Sequence, residues 1–261
     1  MDKQPTPSVA AVPGVDSQVL DEYGEHYFES YNYADRGLGK FSMYWFARRY
    51  YAALVRRYAP TTGGKLLELG CGLGHLIGLL QDDFACVGVD IAAYGIEQTK
   101  RNAPKAEAFV QSADDLSPFA DGEFAVVVAL HLVEHLPNPQ QTIQDIHRIL
   151  QPNGLFLFAT PNPDYSLRRF KDPQTDAIGK DPTHINVHPP TQWRTWAEDA
   201  GFKMMQHFGD GLWDVPYLPL LPKGLQFGFF GLPALFQVVT RTTWTPLRYG
   251  VNQIGIARKE R

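Results

Sequence analysis

"KLLELGCGLGHLIGLLQ", residues 65–81, decides the fold. A short apolar strand ends in glycines at 70, 72 and 74, and an apolar helix follows over His75 to Gln81. Glycine there lets the backbone turn tightly and approach a ligand closely at the start of the next helix. Asp90 closes a second strand, "ACVGVDI" (85–91), where an acid can accept both hydroxyls of a ribose. Together the loop and the acid point to an adenosine-containing ligand.

The same rhythm continues outward. "AAYGIEQTKRNA" (92–103) reads as a helix, "EAFVQS" (107–112) as a third strand, and "EFAVVVAL" (123–130) as a fourth, apolar enough to be buried on both faces. Asn138 caps a helix with Pro139 at its first position, Ile143, Ile146 and Leu150 inward and Asn153-Gly154 at its end. "GLFLFAT" (154–160) is a fifth strand. "PTQWRTWAEDAGF" (190–202) is a helix with Trp193, Trp196, Ala197 and Ala200 inward, stopped by Gly201. "KMMQHFG" (203–209) and "NQIGIAR" (252–258) are closing strands separated by a Pro- and aromatic-rich insertion at about 210–252. Strands alternating with helices imply an α/β, doubly wound, mostly parallel sheet.

NAD and S-adenosylmethionine both suit the loop. The dinucleotide fingerprint needs its third glycine at position 75, where this chain has His75. Glu68, two residues before the first glycine, suits a ligand carrying an ammonium group and would repel a pyrophosphate. That favours S-adenosylmethionine.

At this point the segments "LLELGCGLGHL", "VGVDI", "SADDLSPFADGEFAVVVALHLVEHL", "ILQPNGLFLFATPN" and "HPPTQWRTWAEDAGF" together resemble the class I S-adenosylmethionine-dependent methyltransferases, over roughly residues 40 to 209. The resemblance implies a seven-stranded Rossmann-like sheet with an antiparallel last strand. Gly70, Cys71, Gly72 and Gly74 would wrap the methionyl part, with Glu68 beneath its amino group. Asp90 would hold the ribose and Ile91 pack against the adenine, whose edge would meet Ser112, Ala113 and Asp114. His131, ending the fourth strand, would lie near the methionine and the sulfonium.

"HLVEH" (131–135) matches H-x-x-E-H, a zinc-binding pattern when carried on one helix. The strand "VVVAL" leading into His131, and Pro137 just after His135, argue against that helix, and no metal is expected. The quinone-pathway O-methyltransferases, which these motifs also resemble, carry an acid and then a Glu-His pair at these positions and use a metal. Here His131 replaces the first acid while Glu134 and His135 match. A hydroxyl acceptor needs a general base, and histidine is the natural one at neutral pH. Among His131, His135, His184 and His188, the sequence points first to His184, in "DPTHINVHPPTQW" (181–193), and second to His131.

Around this body, residues 1–18, with Pro5, Pro7 and Pro13, are expected to form a flexible tail, and 19–62 a helical, aromatic lid. In that lid Met43, Phe46, Tyr50 and Leu54 are spaced to pack on the domain at 63–261. The insertion at 210–252 can wall a pocket for a bulky apolar or aromatic acceptor, bury a dimer interface or sit at a membrane surface. From Lys223 to the end, six basic residues (Lys223, Arg241, Arg248, Arg258, Lys259, Arg261) face one acid, Glu260. The net charge of −4 and the lack of a basic run argue against nucleic acid. Two cysteines outside any CxxC, no secretory leader and no apolar run of spanning length point to a cytoplasmic protein. The expected function is methyl transfer, O-methylation favoured, to a small hydrophobic acceptor, with S-adenosylhomocysteine as product. The alternatives are a non-catalytic S-adenosylmethionine-binding subunit and an NAD(P)-dependent oxidoreductase. Oligomeric state is not legible.

Overall fold

The computed structural model describes Phe28 and residues 42–260. The tail expected at 1–18 and most of the first half of the lid lie outside the described residues. Seven strands, β1 (Lys65–Leu69), β2 (Ala85–Asp90), β3 (Glu107–Val110), β4 (Phe124–Leu130), β5 (Leu150–Pro161), β6 (Phe202–Gly209) and β7 (Asn252–Lys259), form one sheet in the order β3-β2-β1-β4-β5-β7-β6. The first five pair in parallel, and β7 runs antiparallel to both β5 and β6. This is the mostly parallel sheet with an antiparallel last strand that the motifs led one to expect.

The apolar run of β4 explains why both faces are covered. Val126 and Val128 join one core while Val127 and Ala129 join the other, following the two-residue period of a strand. On the first face lie α1 (Met43–Tyr58), α2 (Ile77–Leu80) and α3 (Ala93–Asn102), which contribute Leu54, Val55, Ile77 and Ile96. On the second lie α4 (Pro139–Ile149) and α5 (Pro190–Asp199), with Ile143, Ile146, Trp193 and Ala197. Between β6 and β7 the chain forms α6 (Lys223–Gln226), a wide π-type turn (Phe227–Gly231) and α7 (Leu232–Thr240).

Three local expectations are corrected. Met43 is 42% exposed, and α1 buries Tyr50, Tyr51, Leu54 and Val55 instead of a stripe running its whole length. Asn138 occupies the N-cap position of α4, but its side chain makes no capping bond. That helix ends at Ile149, so Leu150 and the Asn153-Gly154 pair belong to β5, with Asn153 in the left-handed region at φ +63°. Leu150 is already paired with Phe124 of β4, and the sheet claims it before the helix can continue.

Strand order reverses direction between β1 and β4. In such sheets the crevice beyond the carboxyl ends of the two diverging strands is the natural ligand site.

Candidate functional site

A cleft of about 530 Å³ opens at that switch point. Gly70, Gly72 and Gly74 at the end of β1 have φ of +66°, +53° and +72°. At Gly74 a side chain is also sterically barred, because a Cβ would come within 2.9 Å of the Thr99 backbone. Thr99 of α3 donates its hydroxyl proton to the Gly72 carbonyl at 2.9 Å, tying the loop to that helix. Asp90 stiffens the loop from the other side. One of its oxygens accepts from the Gly72 N–H and the other from the Ala92 N–H, each at 2.8 Å. Each oxygen keeps a further lone pair for a ligand hydroxyl.

Glu68 is buried at 3% exposure beneath the loop, where one oxygen accepts from the Ile77 N–H at 3.3 Å. Burial pushes its pKa up to about 8, against the opposing pull of the nearby Arg48 guanidinium and the Ile77 bond; Asp90 adds to the rise. A buried carboxyl held this high is matched to a cationic ligand group that would restore its charge. Burial likewise raises the Asp114 carboxyl.

Of the residues expected to hold a cofactor, Glu68, Gly70, Cys71, Gly72, Asp90, Ile91, Ser112, Ala113, Asp114 and His131 all line the cleft. Gly74 does not; it shapes the turn from behind. The Ser112 hydroxyl accepts from the Asp114 N–H at 3.2 Å, which sets the turn after β3.

"HLVEH" divides as its context suggested. β4 ends at Leu130, His131 takes a left-handed conformation at φ +53°, and Val133–His135 is a single 3₁₀ turn. The His131 N–H donates to the Ala159 carbonyl at 2.7 Å, anchoring this turn to β5. His131 and His135 both line the cleft. Between them Glu134 is fully buried, and neither of its oxygens has a hydrogen-bond partner among the described residues. Its Oε1 stands 3.7 Å from Nδ1 of His131 and 4.0 Å from Nε2 of His135. Burial alone would raise the Glu134 pKa; the two imidazoles reverse that and hold it below the ordinary value. Burial lowers the His135 pKa, with Glu134 opposing.

His184 comes to this cluster from the far loop but does not line the cleft itself; its neighbours Thr183 and Ile185 do. Its ring packs 4.9 Å from that of His135. A carbonyl only accepts, so the bonds from His135 Nδ1 to the Thr183 carbonyl at 3.0 Å and from His184 Nδ1 to the Ile178 carbonyl at 2.9 Å place both protons on Nδ1. Nε2 of His135 then faces Glu134 at 4.0 Å, and Nε2 of His184 faces Asp181 at 3.8 Å. Among the described residues, ligand atoms of Glu134, His135 and His184 lie within 4.8 Å of one another. Imidazole nitrogens with a carboxylate, their outer nitrogens fixed by carbonyls, make a donor set that fits a divalent cation. His188, by contrast, packs against Trp193 and Trp196 and serves the fold.

Among the cleft residues not picked out from the sequence as site residues are Phe28, Tyr44, Arg48 and His75. Tyr44 and Arg48 lie one turn apart on α1, a spacing that was there to be read. The Tyr44 hydroxyl lies 2.9 Å from Nδ1 of His75. Burial, with Arg48 adding to it, lowers the His75 pKa to about 4, so this imidazole is neutral near pH 7.

A model of the methyltransferase domain family matches residues 44–207. A Mycolicibacterium smegmatis protein named "Probable S-adenosylmethionine-dependent methyltransferase" is 32% identical over 121 residues, covering 46% of each chain. The ubiquinone biosynthesis O-methyltransferase of Thiobacillus denitrificans is 30% identical over 109 residues, 40% of this chain and 47% of that one. The chain thus spans about half the length of these curated relatives. A chain of the Haloferax volcanii complex between the Trm112 methyltransferase activator and a methyltransferase superposes with a TM-score of 0.63 at 19% identity, covering 93% of this chain and 98% of that one.

Proposed function

The chain belongs to the methyltransferase domain family, and from that premise we propose that it transfers a methyl group from S-adenosylmethionine to a hydroxyl of a small, apolar or aromatic acceptor. The observation that carries this reading is one continuous cleft. It joins a glycine loop flanked by Glu68 and Asp90 to a wall bearing His131 and His135. The likeness to an O-methyltransferase of quinone biosynthesis supports oxygen as the acceptor atom.

S-adenosylmethionine supplies an activated methyl on a sulfonium, so the protein's task is largely to orient the reactants. Orientation of this kind is worth on the order of 7–11 kcal/mol. Asp90 accepts the ribose hydroxyls, and Glu68 loses its proton to face the ammonium. The turn after β3, at Ser112 to Asp114, borders the adenine. His131 takes the proton of the acceptor hydroxyl as the oxygen–methyl bond forms and the sulfur–methyl bond breaks. Glu134, 3.7 Å from its ring, stabilises the imidazolium that results. His184 positions the cluster from behind through His135. A divalent cation would be held by Glu134, His135 and His184, where it would supply a Lewis acid near an acceptor oxygen.

The test is transfer of a labelled methyl from S-adenosylmethionine to an alkylated catechol, a simple phenol and a primary amine in parallel. Label in an aryl methyl ether supports the proposal. Label on the amine alone contradicts it, and cofactor binding with no transfer to any acceptor favours a non-catalytic subunit.

A further inference from the structure

We propose that the outer face of the helical segment 223–240 is a docking surface for an anionic lipid bilayer. The segment, α6 through α7, buries its two glutamines and exposes an apolar stripe. Its inward side carries Gln226 and Gln237, both fully buried, with Ala234 between them. Gln226 accepts from the Tyr217 and Leu218 N–H groups and donates to the Leu218 and Leu221 carbonyls. Gln237 donates to the Gly209 carbonyl and accepts from the Thr245 N–H. These bonds fix which side of the segment faces the domain.

The outward side carries Leu225, Phe229, Leu232, Phe236 and Val239, spaced alternately four and three apart and between 53% and 80% exposed. A helix of a globular protein turns such a stripe toward the core; here the stripe faces out, while Gln226 and Gln237 share the core side with Ala234, Phe230 and Val238. Leu220, 98% exposed, and Trp244, 54% exposed, extend the surface at either end. Among the described residues no helix is long and apolar enough to cross a membrane, so the segment would lie along the surface.

Charge selects the occupant. Lys223 begins the segment, Arg241 ends it and Arg248 follows, all three exposed, and no acid occurs from Val215 to Lys259. A second copy docked face to face would bring these cations together, with no acid in the 215–259 stretch to neutralise them. An anionic headgroup layer would neutralise them while taking up the leucines and aromatics. The Tyr50 hydroxyl donates to the Thr242 carbonyl at 2.6 Å, joining α1 to the chain just after α7. Docking would therefore bring the helix carrying Tyr44 and Arg48 of the cleft toward the bilayer.

The test is flotation of the full chain with vesicles of phosphatidylcholine alone, and of phosphatidylcholine with one third phosphatidylglycerol. Flotation with the second only, reversed by high salt, is expected. Phe229→Glu with Phe236→Glu, and separately Lys223→Glu with Arg241→Glu, should each lower the bound fraction about tenfold. Circular dichroism melting and S-adenosylhomocysteine binding should stay unchanged, and the charge-reversal pair decides the matter if the Phe pair fails to fold. Failure to float with either vesicle overturns the proposal. If sedimentation velocity then shows a dimer broken by the Phe pair, the face belongs to a second copy.

Discussion

At Gly74 the backbone sits at φ +72° with the Thr99 backbone 2.9 Å from where a Cβ would be. Gly74→Ala should therefore destabilise the fold by roughly 1–3 kcal/mol, read by urea denaturation, and weaken cofactor binding as the loop shifts. The proposed base makes a sharper contrast. His131→Ala should lower kcat about 10²–10⁴-fold under saturating cofactor and acceptor. His184→Ala, assayed without divalent cation, should cost far less, because His184 stands behind His135 and outside the cleft. Equal losses in the two variants would return His184 to the chemistry. Glu68, Gly70 and Asp90 were legible in the sequence because they fall within one strand–turn–helix–strand unit, at the ends of β1 and β2. The cluster at Glu134 was only half legible. What fixes the His135 tautomer is a carbonyl at Thr183, 48 residues away, and no local pattern announces it.

Among the elements, α1 shows where periodicity is necessary but not sufficient. Met43, Phe46, Tyr50 and Leu54 share a helical face, yet only the later turns of α1 reach the sheet, while Tyr44 and Arg48 lie over the cleft. The 3.6-residue pattern identifies a helix and leaves open what covers each turn. The segment at 223–240 departs further, since its apolar stripe points outward and its glutamines inward. Gln226→Leu tests that orientation. Removing four hydrogen bonds to the 217–221 backbone should cost about 1–3 kcal/mol. Limited proteolysis should then cut within 217–240 while the sheet resists. Unchanged protection would mean that apolar packing, and not Gln226, holds the segment.

For the molecule as a whole, the strand order and the switch-point cleft follow from buried apolar strands alternating with helices, which is why the architecture could be read from the chain. The acceptor side could not, since it is assembled from loops distant in sequence. The central claim is that an S-adenosyl ligand occupies the glycine-loop cleft, held by Asp90 and charge-matched by Glu68. Glu68 also makes the claim sensitive to pH. With a folded pKa of about 8 and an ordinary value of 4.5, it keeps a proton in the fold that the unfolded chain has lost. Its contribution thus lowers stability as pH rises from 4.5 to 8, and a cationic ligand should expel that proton. The most direct measurement is calorimetric titration with S-adenosylhomocysteine at pH 7, in buffers of different ionisation enthalpy. The account predicts tight binding with net proton release, the release lost in Glu68→Gln and the binding itself lost in Asp90→Ala. Binding that survives Asp90→Ala undiminished, or no binding to the unaltered chain, would contradict it.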